Sequence, residues 1–329
     1  MVKYILKRIG LSLLILFGVS IILYFLLRLM PVSYFDTILA NQSQVENAAE
    51  RIEEMKAYYG LADDSFMGMV KGYFGWLGKF LQGDFGISYK YGTPVADEIF
   101  SHMGISFAIS FVSLILQLVI AIPLGIKCAC NQYGKLDYTV TVLTMIGISF
   151  PTFFFANLII KFFAVDLGWF PAQGLYGNLS SNAGWFERTG DMLWHLVLPM
   201  IVLVILSVGS MVRYTRTNTL EVLNADYIRT ARAKGLSENK VVYKHVFRNT
   251  MIPLVTTLAG VLPGLFGGSM ITEQIFAIEG IGNIAYNALK ENDIPFIMAY
   301  NMFIAVLTVI GMLLTDIMYG VVDPRVKLK

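Results

Sequence analysis

The chain has 329 residues, 56% hydrophobic and only 15% charged, with a net charge of +2. Its mean hydropathy of +0.63 is more apolar than a soluble core of this length requires. The near-neutral balance supplies no general basic surface for nucleic acid, and no such partner is expected.

The apolar excess lies in runs. Residues 9–27, 104–126, 138–160, 196–212, 249–272 and 296–315 contain no Asp, Glu, Lys or Arg. Each is about as long as the ~20 residues that carry a helix across a bilayer. Lipid offers no partner for backbone polar groups, so each run is expected to be helical. The fold class is therefore all-α integral membrane, with six transmembrane helices. Pro123, Pro151, Pro199, Pro253 and Pro263 fall inside the later runs and weaken the case for straight helices.

The first run follows Lys3, Lys7 and Arg8, as a secretory signal would, but it exceeds the roughly 7–15 apolar residues of a signal core and no A-x-A site follows. Residues 1–30 are expected to be a tail plus the first span. Residues 31–103 form an outside domain. In it, QVENAAERIEEMKAYYGL (44–61) is helix-prone, with Gly60 as a stop. MGMVKGYFGWLGKFLQ (67–82) sets Tyr73, Phe74, Trp76 and Phe80 on a helix suited to the membrane surface, and GDFGIS (83–88) is a turn. This domain is either a small cap or a docking surface for an external partner.

Cys128 and Cys130 close the second span. No nearby Cys or His completes a metal site, so they are expected to be reduced packing residues. The second outside loop, 164–194, contains GWFPAQG, and His195 follows Trp194 at an outer interface. Next comes an inner loop, 213–250, with eight basic residues from Arg213 to Arg248. Its core, DYIRTARAKGLSEN, reads as two short helices. Asn224 or Asp226 caps the first, Gly235 stops it, and Ser237 restarts the chain with Glu238 in the next first turn. Tyr227, Ile228, Ala231 and Leu236 add an apolar strip among arginines. Anionic lipid explains the charge; a protein groove explains the helix–Gly–helix layout as well.

In the fifth span Thr256, Gly260, Gly264, Gly268 and Thr272 fall at four-residue steps, a small-residue stripe for helix packing or a subunit seam. A third outside loop, 278–294, precedes the last span. With the N-terminus inside, sixteen basic residues lie on inside segments and seven outside, so both termini are expected to be cytoplasmic. The core is then 104–323, followed by a cytoplasmic tail, 324–329.

Enzyme motifs are absent: no G-x-S-x-G, no H-E-x-x-H and no Walker A. An ion-coupled carrier keeps ionisable groups at mid-membrane. Here only Glu273 and Asp316 approach the spans, near helix ends. A transporter of this make-up draws its energy from outside the membrane.

Those residues carry a resemblance. The stretch DYIRTARAKGLS (226–237) resembles the EAA loop of ABC-importer membrane subunits, in the form of the dipeptide/oligopeptide permeases. WLGKFLQGDFGIS (76–88), SFPTFF (149–154), GWFPAQG (168–174), HLVLPM (195–200), KHVFRNTMIPLV (244–255), EQIFAIEGIG (273–282), Asp316 and DPR (323–325) extend it over nearly the whole chain. The large first outside loop is similar to that of the first of the family's two permeases. Arg229 stands where the general EAA pattern has Glu, and Glu279 where this branch usually has Pro. The resemblance implies a prokaryotic plasma-membrane permease for di- or oligopeptides, with nickel or another small solute as the alternative cargo and an ion-coupled carrier as the distant rival. Asp226, Tyr227, Arg229, Ala231, Arg232 and Gly235 would couple to two cytoplasmic ATPases, which would hold the ATP and Mg; this chain would hold no cofactor and no metal. A second homologous permease, an external substrate-binding protein and membrane lipid would be the other partners.

Overall fold

The computed structural model describes residues 2–29, 65–180 and 183–322, with residues 50, 53, 56–60 and 63 between the first two stretches. Among them there is no strand beyond one isolated bridge, Ile87 to Pro94. The helices are α1 (Val2–Arg28), α2 (Phe66–Leu81), α3 (Val95–Cys130), α4 (Lys135–Ser149), α5 (Thr152–Ile159), α6 (Trp185–His195), α7 (Val197–Leu223) and α8 (Asp226–Ala233). They continue with α9 (Phe247–Ala259), α10 (Leu262–Gly267), α11 (Met270–Ile275), α12 (Ile281–Lys290) and α13 (Ile294–Val322). Two π-helical stretches, Ile160–Asp166 and Val241–Val246, extend α5 and lead into α9. Residues 31–49, most of the helix expected at 44–61, and the tail with its DPR motif lie outside the described residues.

Four helices, α1, α3, α7 and α13, are each long and apolar enough to cross a membrane; counting each of two bent pairs as one span makes six. The run 138–160 is not one helix, as its lack of charge suggested. Helix α4 ends at Ser149, Phe150 is extended (φ −78°, ψ 128°), and α5 leaves at 102°. The Pro151 ring disfavours helical geometry at Phe150, which sets the break.

The run 249–272 is also broken. The α9 and α10 segments meet at 51° after Gly260, and Gly268 has φ +73° between α10 and α11. A stripe at four-residue steps needs one continuous helix. The expected alignment of Thr256, Gly260, Gly264, Gly268 and Thr272 on one face therefore does not form.

The described chain falls into two compact units. One holds α1, α2, the start of α3 to Met103, and residues 284–313; the other holds Gly104–Asn283 with the end of α13. In the first, Tyr24 and Leu27 of α1, Tyr73 and Trp76 of α2, and Ile294, Met298 and Met302 of α13 form one core with Tyr59. Tyr73 and Trp76 are thus buried by protein and not laid on the membrane surface; Phe74 alone of the four expected aromatics is exposed. The Tyr73 hydroxyl bonds Ser20 Oγ at 2.8 Å, and Tyr24 donates to Tyr59 O at 2.7 Å. Those bonds satisfy the polar ends that make burying tyrosine costly. Gly60, at φ +65°, closes the preceding helical turn as expected. The GDFGIS turn docks on the start of α13: Ser88 Oγ donates to buried Asp293, which also accepts from Lys90 N (3.2 Å) and Phe296 N (3.3 Å).

In the second unit α7 is central. A Cβ on Gly125 of α3 would come 2.9 Å from Val212 O, and one on Gly209 would come 2.9 Å from Thr144 O of α4. These are backbone-to-backbone approaches that only glycine permits. Asp137 at the start of α4 accepts two bonds from Arg216 of α7, 2.6 and 2.7 Å, and one from Tyr133 N. By contrast, nothing lies within 4 Å of a Cβ at Gly264. Gly209→Leu is therefore expected to overpack α4 against α7 and lower the melting temperature of the purified chain by about 3 °C or more. Gly264→Leu should leave it within about 1 °C of the parent, and a thermal unfolding scan of both variants checks the pair.

Candidate functional site

The arginine-rich stretch folds as α8, and its sequence explains both ends. Ala225 is the N-cap, extended at φ −70°, ψ 146°, with no side-chain bond. The expected caps do other work: Asn224 Nδ2 donates back to Leu220 O at 2.9 Å, closing α7, and Asp226 is the first helical residue, where its charge complements the helix dipole. At the other end Gly235 takes φ +76°. Its N–H donates to Arg232 O at 2.9 Å, and Leu236 N–H reaches Ala231 O at 3.4 Å. This is the paired Schellman closure, with Leu236 folded back as its apolar plug. Ser237 is the next N-cap by position, but its side chain makes no capping bond.

The expected apolar strip is split between two faces. Ile228 (0% exposed) and Ala231 (7%) point inward, onto Val241 and Val246, with Val222, Leu223 and Leu236 around them. Ala231 is therefore part of the seat of the helix and not of its outer face. Tyr227, Arg229, Arg232 and Gly235 remain outside with Asp226. Arg229 lies 3.7 Å from Asp226, an exposed pair of little energetic weight. Arg232 forms a two-pronged bond to Glu238, at 3.1 and 2.6 Å, which ties α8 to the short helix Glu238–Lys240 that follows as expected. Beside them runs a polar cleft of about 670 Å³, lined in part by Lys127, Cys130, Asn131, Arg232, Glu238 and Tyr243. Cys128 is buried while Cys130 opens to this cleft, so only the first is a packing residue; both are free thiols. Among the described residues no cluster of His, Cys, Asp and Glu could hold a metal ion.

Sequence reasoning underrated Glu273. It is 2% exposed. Its carboxyl accepts from Ser106 Oγ (2.9 Å), Ser269 N (2.9 Å) and Asn283 N (3.1 Å). Ser106 Oγ in turn accepts from Ile281 N at 2.9 Å. A Cβ at Gly280 or Gly282 would come 2.4 or 2.9 Å from Glu273 Oε2, so the I-E-G-I-G sequence supplies the room for this carboxyl. The available signal was an acid three residues from a Gly-rich loop; Ser106, 167 positions away, gave none. Glu279, where the resembled branch has Pro, is exposed in this loop, which still closes through Ile278 N to Glu273 O at 2.9 Å. His195 is a satisfied boundary residue: Nδ1–H donates to Asp191 O at 2.9 Å.

Residues 121–328 match the family described as binding-protein-dependent transport system inner membrane component. The chain is 38% identical over 328 residues to the oligopeptide transport system permease protein AppB of Bacillus subtilis (strain 168), covering 99% of this chain and all of that one. It is 35% identical over 329 residues to the dipeptide transport system permease protein DppB of Lactococcus lactis subsp. cremoris (strain MG1363), covering the whole of both. Among solved structures, the inward-facing MetNI methionine ABC transporter in its CY5 native crystal form is similar at a TM-score of 0.53. The match has 20% identity and covers 68% of this chain and 96% of that one. At that identity the likeness speaks for the fold alone.

Proposed function

We propose that this chain, which belongs to the family of binding-protein-dependent transport system inner membrane components, is the peptide-path permease of an ATP-driven importer. It is a multi-pass membrane protein. In our reading it crosses six times with both termini cytoplasmic, each bent pair counting as one crossing, and places 31–103 outside. A second homologous permease completes the path, two cytoplasmic ATPases hold ATP and Mg, and an external binding protein delivers the cargo. The cargo class follows the oligopeptide and dipeptide permeases to which the chain is similar over its full length. The chain itself contributes a path and a lever, with no catalytic group.

The observation that carries this reading is α8. It is a short, doubly closed helix whose inner face is locked onto apolar residues and whose outer face offers Tyr227, Arg229 and Arg232. A helix held that way moves as a solid piece with the end of α7 and the start of α9. An ATPase that closes around ATP can push on it, and the push reaches both long helices. The ion-coupled alternative is weakened: of the two acids that approach the spans, Glu273 is committed to three donors within the chain.

Single cysteines at Tyr227 and Arg229 test the assignment. In the assembled transporter each is expected to cross-link to a groove on the ATPase, with a yield that changes between nucleotide-free and ATP-bound states. Cross-links to lipid alone, in every nucleotide state, would overturn it.

A further inference from the structure

Away from α8, the first unit contains a cavity of about 260 Å³ lined by Tyr58, Tyr59, Asp84, Gly86, Ile87, Tyr89 and Pro295. Three aromatic rings and a carboxylate bearer share this small space. Tyr58 and Tyr59 meet edge to face, 5.0 Å between centroids and 74° between planes, so they form two walls of a corner. Asp84, one of the lining residues, is exposed and accepts from Gly86 N at 3.1 Å.

Tyr59 supplies the second, independent observation. It is 1% exposed, and among the described residues its hydroxyl has no hydrogen-bond partner. A buried hydroxyl left unpaired is costly, so such a group calls for an occupant that completes it. Burial pushes its phenol well above the ordinary value, and Tyr89, Tyr58, Asp293 and Asp84 add to the rise. Three of those four line the cavity together with Tyr59 itself.

We propose that this cavity is a subsite for an alkylammonium group: a primary ammonium on an aliphatic stem enters between the tyrosine rings, approaches the Asp84 carboxylate and donates one hydrogen bond to the Tyr59 hydroxyl. The chemistry selects the class. An anion is repelled by Asp84 and by the negative faces of the rings. A purely apolar group leaves the Tyr59 hydroxyl unpaired. An ammonium gains from the rings through cation–π contact and from the carboxylate, and a charged donor makes the stronger hydrogen bonds. The same preference is already in use next door: Lys79 Nζ sits 4.0 Å from the Tyr58 ring centroid and caps one of its faces. Size sets the limit. Whole-ligand pockets run from roughly 300 to 1,000 Å³, so this one takes a single amine-bearing group and not an entire peptide. The amine can come from a free alkylamine or from the amino terminus of a peptide, and only the second source rests on the importer reading above.

The test uses the full chain purified in detergent, with ligand-observed saturation-transfer NMR. The probes are n-butylammonium, n-butanol as its neutral counterpart, alanyl-alanine amide, and the N-acetyl form of that amide. Saturable n-butylammonium binding is expected, with a Kd on the order of 1 mM, and tenfold or weaker binding of n-butanol. Asp84→Asn is expected to weaken n-butylammonium binding about tenfold. Tyr59→Phe should weaken it about threefold without lowering the melting temperature, because it removes an unpaired hydroxyl from the core. Binding of alanyl-alanine amide but not its N-acetyl form assigns the amine to peptides; binding of n-butylammonium alone assigns it to free amines, and either supports the subsite. No saturation by n-butylammonium, equal saturation by n-butanol, or unchanged affinity in Asp84→Asn overturns it. No nucleotide, ATPase or uptake enters this measurement. Failure of the importer reading, seen as missing cross-links from α8, is thus a separate result.

Discussion

Gly235→Pro is expected to abolish ATP-coupled uptake while the protein still inserts in the membrane. Position 235 makes two demands. Its φ of +76° lies outside what a pyrrolidine ring permits, and its N–H is the donor to Arg232 O. Proline fails both, so the Schellman closure opens, Leu236 leaves its place over Ala231, and α8 loses the fixed angle to its neighbours. The local cost is about 3 kcal/mol or more, enough to populate a frayed helix. Gly235→Ala separates this account from simple sensitivity of the site. Nothing lies within 4 Å of a Cβ there, so alanine suffers only the left-handed strain of about 1–2 kcal/mol. Alanine is expected to retain substantial uptake and proline almost none. The measurement is peptide-stimulated ATPase activity and uptake in proteoliposomes containing the full transporter. Equal uptake by the proline variant and the parent protein would dismiss α8 as the lever.

Glu273→Ala should be the most destabilising single change in the second unit. It empties a site with little room and strands Ser106 Oγ, Ser269 N and Asn283 N in an enclosed setting. Removing one member of such a buried polar group costs about 3–5 kcal/mol. The loop Phe276–Gly282 would then lose its anchor to α3. Limited proteolysis should show new cleavage in that loop, and the melting temperature should fall by roughly 8 °C or more. Glu273→Gln keeps the shape and one acceptor, and is expected to fall between Ala and the parent. Cleavage and melting unchanged in Glu273→Ala would show that the carboxyl is not the anchor.

The legible part of this protein was the part written in local pattern. Charge-free runs marked the long helices because lipid penalises every charge alike, and α1, α3, α7 and α13 lie where those runs fall. Gly235 was legible as a stop because only glycine rests comfortably at positive φ. Features that depend on distant residues left no trace. The Asp137–Arg216 clamp joins positions 79 apart, and neither residue lies inside a charge-free run. Tyr73 and Trp76 looked like interface residues because nothing local reveals that Tyr24 and Met298 cover them. The glycine stripe misled for a related reason. Regular spacing was read as a continuous face, while the same glycines are what let the helix break at 260 and 268. The resemblance counted Ala231 among the residues that would couple to an ATPase. The structure spends that residue on fastening the helix to its own chain.

A push delivered to α8 has few places to dissipate. Gly125 and Gly209 bring α3 and α4 against α7 at backbone distance, and Asp137 grips Arg216, so these three cannot slide past one another without breaking contacts that leave no slack. Compliance must then be found elsewhere. The interruptions at Gly260 and Gly268 are where the regular helical ladder is already broken, so bending there sacrifices fewer of its bonds than bending α7 would. If α8 is the lever proposed above, the stroke divides: a stiff arm through α7 on one side, and on the other a jointed limb whose elbows are built from glycine.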